Sequence, residues 1–150
     1  MGIADRANQG LRRFVLLWHE MPAIASQTSH WDLMFEHSGV LVAFRIMELP
    51  PTVSNRKDQC RVQMERLADH RLVYLSYEGA ISDNRGCVTR IADGCFQATH
   101  IDNSATVLYQ LQGDRLQAML EIPFCDPHQT IAAVVLQWQL DRDAAIQKHV

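Results

Sequence analysis

Lysine is almost missing from this chain. Lys57 and Lys148 are the only two, so the positive charge rests on arginine, whose planar fork can hold a phosphate through two parallel hydrogen bonds. A surplus of positive charge is missing too: the formal net charge is -3 and the pI about 6.1. That argues against a protein held to nucleic acid by bulk electrostatics, which leaves a basic footprint. A few arginines gripping one phosphate are still compatible with it. Paired cysteines are absent as well. Cys60, Cys87, Cys95 and Cys125 are spread widely with no C-x-x-C, which speaks against a cysteine-based zinc site. They are expected to be buried or incidental thiols of a reduced, cytoplasmic protein. No apolar run is long enough to span a membrane. The opening "MGIADRANQG" has no signal-peptide pattern, and Arg6 stands where myristoylation needs Ser or Thr. No internal repeat or low-complexity tract is present.

What remains is an ordinary globular composition, 47% apolar and 21% charged over 150 residues, which fits one domain, residues 1–150. "RRFVLLWH" (12–19) suits a buried strand. "HWDLMFE" (30–36) alternates with period two, Ser38-Gly39 makes a turn, and "VLVAFRIM" (40–47) returns to complete a hairpin. Residues 59–69 are ambiguous between helix and strand. "HRLVYLSYEG" (70–79) reads as a strand ending in glycine. Two further hairpins are expected, with Asp93-Gly94 and Gly113-Asp114 at their turns. "TIAAVVLQWQL" (130–140) reads as a long buried strand, and Asp141 could cap a final short helix. Together these predict an all-β fold: a compact closed or nearly closed barrel of about eight strands with a short flanking helix.

Side chains two apart on a strand share a face. Trp31, Leu33 and Phe35 therefore point one way, into the core, while His30, Asp32, Met34 and Glu36 point the other. The same rule groups His70, Leu72, Tyr74 and Ser76. His19 ends a buried strand just before a loop. Imidazole and carboxylate on one face suit Mn²⁺, Fe²⁺ or Zn²⁺, but H-x-D is common by chance and a solvated strand face explains it equally well. The remaining histidines, His37, His100, His128 and His149, flank turns or the terminus and read as surface residues. A facial triad completed by His100 or His128, as in metal-dependent oxygenases, is a further possibility for the H-x-D pair.

The motifs taken together resemble the 3'-phosphoesterase domain of bacterial DNA ligase D and its free-standing relatives. The likeness runs from "RRFVLLWH" to "LQGDRLQAMLEI". It rests on the apolar strand ending in His19, on "HWDLMFEHSGVLVAFRI" with a proline after it, and on "DHRLVYLSYEG", where His70, Tyr74, Glu78 and Gly79 fall in place. The resemblance implies a β-barrel with a polar crater and a divalent metal, manganese or another such as zinc, on His19, His30 and Asp32. It implies His70 and Tyr74 at the scissile phosphate, and hydrolysis of a 3'-terminal phosphate or ribonucleotide at nucleic-acid ends, beside a separate ligase or polymerase. The family's H-[YW]-D-x-R carries an arginine where this chain has Met34. Losing that charge-assisted contact would weaken phosphate binding by ~1.5–3 kcal/mol unless Arg61, Arg66, Arg85 or Arg13 replaces it. A non-catalytic relative, binding metal or phosphate without turnover, is the alternative that Met34 favours.

Overall fold

A computed structural model describes residues 12–141. Nine strands follow in order: β1 (Arg12–Glu20), β2 (His30–His37), β3 (Val40–Ile46), β4 (Cys60–Arg66), β5 (Gly79–Ala80), β6 (Cys87–His100), β7 (Thr106–Gln112), β8 (Leu116–Pro123) and β9 (Thr130–Leu140). Two short 3-10 turns, Arg56–Asp58 and Leu72–Leu75, are the remaining regular elements among the described residues. No helix there is long and apolar enough to cross a membrane. The helix expected after Asp141 lies outside the described residues.

All pairings are antiparallel. The sheet runs β1-β2-β3-β4-β9-β8-β7-β6, and a further β1–β6 pairing joins its two ends into a closed eight-stranded barrel. The two-residue β5 hangs on the start of β6. Closure leaves no long open edge in the wall, which removes the template for pairing with another chain. The β2–β3 hairpin turns on Ser38 and Gly39, both with positive φ (49° and 85°), as a two-residue primed turn demands.

The barrel wall is apolar on both faces. Inward-facing Phe14 and Leu16 of β1, Leu33 and Phe35 of β2, and Phe44 and Ile46 of β3 meet Trp138 and the interior residues of β8 and β9 in the lumen core. The alternate residues, Val15, Leu17, Met34, Leu41, Ala43 and Val88, form a second buried cluster on the outer face, under Leu75. The segment from Leu67 to Ile81 therefore roofs one patch of the outer wall. Each fully buried aliphatic or aromatic side chain contributes roughly 1.5–3 kcal/mol, so this roof is held by burial as well as by hydrogen bonds. Leu41 and His70 exchange both backbone hydrogen bonds, each 2.8 Å.

Two expectations from the sequence are corrected. Residues 70–79 do not form a strand. Leu72–Leu75 wind into a 3-10 turn, and only Gly79 continues into β5. A run such as Leu-Val-Tyr-Leu satisfies period two and a tight helical turn equally well, and packing of Leu75 against the wall selects the turn. Asp93-Gly94 is not a hairpin turn either. Both residues lie inside the fourteen-residue β6, which pairs continuously with β1 apart from a bulge between Leu16 and Leu17. Gly94 is there because backbones cross closely. A Cβ at Gly94 would run into the Gln112 carbonyl oxygen and stand 2.7 Å from the Cα of Gly113, while one at Gly113 would meet the Asp93 carbonyl. The ambiguous stretch 59–69 resolves as β4, and the strands at 12–19, 30–36, 40–47 and 130–140 and the hairpin around Gly113 are found as expected.

Gly94→Ala forces backbone apart rather than a flexible side chain, so it is expected to destabilise the barrel by about 1–3 kcal/mol. Urea denaturation reads this as a lower midpoint at unchanged slope; a wild-type midpoint would show that the close crossing is not a constraint.

Candidate metal and phosphate site

The end of β1 and the start of β2 are directly paired: His19 opposite His30, Trp18 opposite Trp31, Leu17 opposite Asp32. The pleat turns Trp18 and Trp31 toward the lumen, where their rings pack at 4.5 Å. His19, His30 and Asp32 are thereby turned to the outer face, with the two imidazoles 4.9 Å apart. One candidate ligand atom from each of the three lies within 4.8 Å of the others. The site is thus built into the wall of the barrel, not into its lumen.

His30 and Asp32 are 1% and 2% exposed and are the only fully buried polar residues among those described. Burial of a charge without partners is expensive, so the hydrogen bonds around them matter. His30 donates from Nδ1 to the Thr28 carbonyl at 2.8 Å, and His19 donates from Nε2 to the Arg85 carbonyl at 2.5 Å. A carbonyl only accepts, so these bonds fix the tautomer of each neutral ring. The other nitrogens, His30 Nε2 and His19 Nδ1, are left as lone pairs facing Asp32, at 3.2 Å from Oδ1 and 3.4 Å from Oδ2. Asp32 Oδ1 is buried and receives no hydrogen bond. Three electron-rich atoms thus converge with no donor between them. Only protons on the rings or a cation can make that arrangement favourable. Nitrogen and carboxylate donors of this kind, each ring anchored from behind, fit a divalent metal.

The electrostatics agree. Burial, the largest influence on Asp32, pushes its carboxyl up, but the flanking histidines outweigh it and hold the group below its ordinary value of 3.8. His19 is raised above 6.5, first by Asp32 and then by the Arg85 carbonyl, against the opposing effect of burial.

The hollow over this cluster, about 250 Å³, is lined by His19, Asp32, Met34, His70, Tyr74, Arg71 and Arg85. The roof segment supplies His70, Arg71 and Tyr74, and the loop before β6 supplies Arg85. His70 donates Nδ1–H to the Ala68 carbonyl at 2.8 Å, which leaves Nε2 as its second functional nitrogen. The turn at Leu72–Leu75 brings Tyr74 back over His70, ring centroids 5.8 Å apart. The pair expected from strand alternation is therefore brought together by one helical turn. A larger hollow of about 550 Å³ opens at one end of the barrel among Phe35, Phe44, Phe96 and Tyr109. It contains none of the three clustered residues.

Of the arginines offered as substitutes at the Met34 position, only Arg85 reaches the hollow. Its side chain is braced by the carbonyl and hydroxyl of Ser82 at 2.9 and 3.1 Å. Arg61 is exposed on β4 beside Pro50 and Pro51. Arg66 is engaged with Asp69 at 2.8 Å and lies over Phe44. Arg13 pairs with Glu36 at 3.4 Å. Arg71 is the one the sequence reading missed. Strand alternation put it on the opposite face from His70, whereas the tight turn lets neighbouring residues share a concave side. His100 and His128 do not join the cluster: His100 lines the hollow at the end of the barrel, and His128 sits at positive φ in the loop before β9.

Gly86 holds the Arg85 loop in place. It takes φ +89°, and a Cβ there would run into the Glu20 carbonyl oxygen. Only glycine lets this loop lie against the end of β1, where the Arg85 carbonyl meets His19.

The fold and site together are an eight-stranded antiparallel barrel with a His-Asp-His cluster on its outer wall, under a roof bearing a third histidine, with Arg71 and Arg85 lining the hollow. Residues 23–122 match the sequence model of the DNA Ligase D 3'-phosphoesterase domain, and the chain belongs to that family. His30, Asp32, His70, Arg71, Tyr74 and Arg85 lie within the matched stretch, while His19 precedes it and is joined to the site by the β1–β2 pairing. No curated protein matches the chain.

The metal-free protein should show a definite pH signature. Protonated His19, raised above 6.5 by Asp32, adds stability that is complete below about pH 6.5 and is lost as pH rises through its folded-state value. Ionised Asp32, held below 3.8, adds stability that is present above that pH and lost as pH falls. NMR titration should place His19 above 6.5, and Asp32→Asn should bring it down. An unchanged His19 titration in that variant would contradict the coupling.

Proposed function

We propose that this protein is a divalent-metal-dependent phosphoesterase that acts on nucleic-acid 3' ends, removing a terminal phosphate or ribonucleotide. The observation that carries the reading is Asp32 Oδ1, buried without a donor and faced by the His30 Nε2 lone pair. A cation bound there would relieve that arrangement without requiring either ring to be protonated. His19, His30 and Asp32 would hold that cation, manganese or another divalent ion such as zinc. When bound, it would neutralise charge on a phosphoryl oxygen and acidify a water.

The chain's own groups have separable roles. His70, its Nδ1 committed to Ala68, offers Nε2 to the phosphate or to the leaving oxygen as general acid. The Tyr74 hydroxyl polarises the same phosphate. Arg71 and Arg85, which both line the hollow, take over the clamp that an arginine at position 34 would give. Met34 itself is buried beneath the roof and closes the floor to water, where it cannot donate to an anion. Family membership supports a phosphoester substrate; the balance of charge, acidic overall with two arginines at the hollow, supports recognition of an end over binding along a duplex.

A second reading, the same barrel binding phosphate without turnover, is favoured by the loss of a cation at Met34. The two separate cleanly in one assay. With Mn²⁺ and a 3'-phosphorylated oligonucleotide, the protein should release inorganic phosphate, and Asp32→Ala should abolish release. His70→Ala should lower kcat by about a hundredfold or more. Arg71→Ala should raise KM by roughly ten- to a hundredfold, the loss of one charge-assisted contact. Tight binding with no release from either a 3'-phosphate or a 3'-ribonucleotide would replace the hydrolase by the binding module.

A further inference from the structure

A second hollow of about 360 Å³ adjoins the first. It is lined by Tyr77, Val73, Ser82 and Ala80, and it shares Arg71, Tyr74, Ile81 and Arg85 with the hollow over the His-Asp-His cluster. The shared residues form a common wall, with the His-Asp-His cluster on one side and Tyr77 on the other. Tyr77 is 36% exposed and Val73 48%, two of the few large apolar side chains that face solvent among the described residues. The first hollow draws on β1, β2 and β6 as well as the roof, whereas the second is lined by residues 71–85 alone.

Tyr77 is not a loose surface ring. Its hydroxyl donates to the Ala80 carbonyl, and its backbone N–H donates to the Val73 carbonyl at 2.9 Å. Between these anchors lies Gly79, at φ +127°, where a Cβ would approach the Tyr77 hydroxyl oxygen to 3.3 Å. The aromatic face is therefore held by its own tip in a fixed, solvent-facing position. Tyr74 stands at right angles to it, 89° between planes and 6.0 Å between centroids, so the two rings make a corner. The Ser82 hydroxyl is already engaged with Arg85, and that of Tyr77 with Ala80. What the corner offers is a flat apolar surface with cations at its edge and no side chain committed to reading hydrogen-bond patterns.

We infer that this second hollow is the subsite for the terminal nucleoside, whose base stacks in the Tyr74–Tyr77 corner while its 3'-phosphate reaches past Arg71 and Arg85 to the cluster. The inference rests on the phosphoesterase reading for what occupies the first hollow. The order of the parts supports it: phosphate site, arginine wall, aromatic platform follow the covalent order phosphate, sugar, base. Base–aromatic stacking tolerates every base because each has a π-face, and a ring already immobilised loses little freedom when it is covered. Tyr77 is thus a binding residue for the substrate, separate from the residues that hold the phosphate.

The test uses two 3'-phosphorylated single-stranded oligonucleotides, identical except that one has a tetrahydrofuran abasic residue as its last nucleoside. Fluorescence anisotropy with metal-free protein gives the affinities, and phosphate release with Mn²⁺ is followed separately. The intact end should bind about tenfold more tightly than the abasic one. Tyr77→Phe should keep that preference, and Tyr77→Ala should bring both oligonucleotides to the abasic affinity. Equal affinities in the wild-type protein, or a preference that survives Tyr77→Ala, overturns the subsite. If both oligonucleotides are nonetheless hydrolysed, the phosphoesterase reading stands without it. A base preference with no hydrolysis supports the subsite and removes the hydrolase. Failure to bind either oligonucleotide, with no phosphate release in Mn²⁺, removes both.

Discussion

β1 is paired on both of its edges, to β2 along one side and to β6 along the other. That double pairing turns an eight-stranded sheet into a barrel, and the rest of the molecule is arranged around it. A strand hydrogen-bonded on both sides cannot slip by one residue without breaking two ladders and turning both of its apolar rows inside out. Val15 and Leu17 must face outward if Phe14 and Leu16 face the lumen, and His19 follows in the same register. The position of the first histidine is therefore set by the packing of a core with which it makes no contact. Through β2 the same register sets His30 and Asp32. The bulge opposite Leu16 and Leu17 puts the extra residue, Ile91, in β6, so the register of β1 with β2 runs unbroken to His19.

A closed small barrel has a filled interior, so its functional surface has to be found elsewhere. Here it is an outer patch of wall made unusually apolar by Val15, Leu17, Met34 and Ala43 and covered by the segment from Leu67 to Ile81. The two layers have unequal duties. The wall holds the buried carboxylate and its histidines in rigid, paired backbone. The roof, attached through the Leu41–His70 bridge and the seating of Leu75, carries His70, Arg71, Tyr74 and Tyr77. On the proposed function, the metal ligands, which need fixed geometry, would sit on strands, and the groups that touch substrate on a turn with fewer backbone bonds. Such a division lets the lower-stability segment adjust without disturbing the charges below it.

Much of this was legible in the residues. The H-x-D alternation of β2, the Ser38-Gly39 turn and the long apolar β9 follow from local rules of strand and hairpin. The convergence of His19 with that pair did not, because ten residues of chain and loop intervene and only the β1–β2 register joins them. The resemblance in "DHRLVYLSYEG" anticipated His70 and Tyr74 as a pair while the period-two rule gave the wrong reason for it. The same wrong period hid Arg71. Gly94 misled for a related cause: Asp-Gly is a strong turn signal, but a glycine is also required where two backbones cross, and only the fold distinguishes them. Arg61, Arg66 and Arg85 could not be ranked from the sequence, since the distance of an arginine from the cluster depends on which wall or loop of the barrel it occupies.

Both histidines of the cluster are oriented from behind by main-chain carbonyls, those of Thr28 and Arg85. No point mutation removes a carbonyl. The ring orientations are in this respect indifferent to the identity of residues 28 and 85, so those positions are free to vary in sequence without loss of ligand geometry. The vulnerability is displaced to whatever shapes the backbone there, above all Gly86 and the length of the loop between β1 and β2. A substitution at residue 28 or 85 leaves both anchors standing, whereas an insertion in that loop or a side chain at Gly86 would move them, so the ligand geometry is written in the course of the main chain.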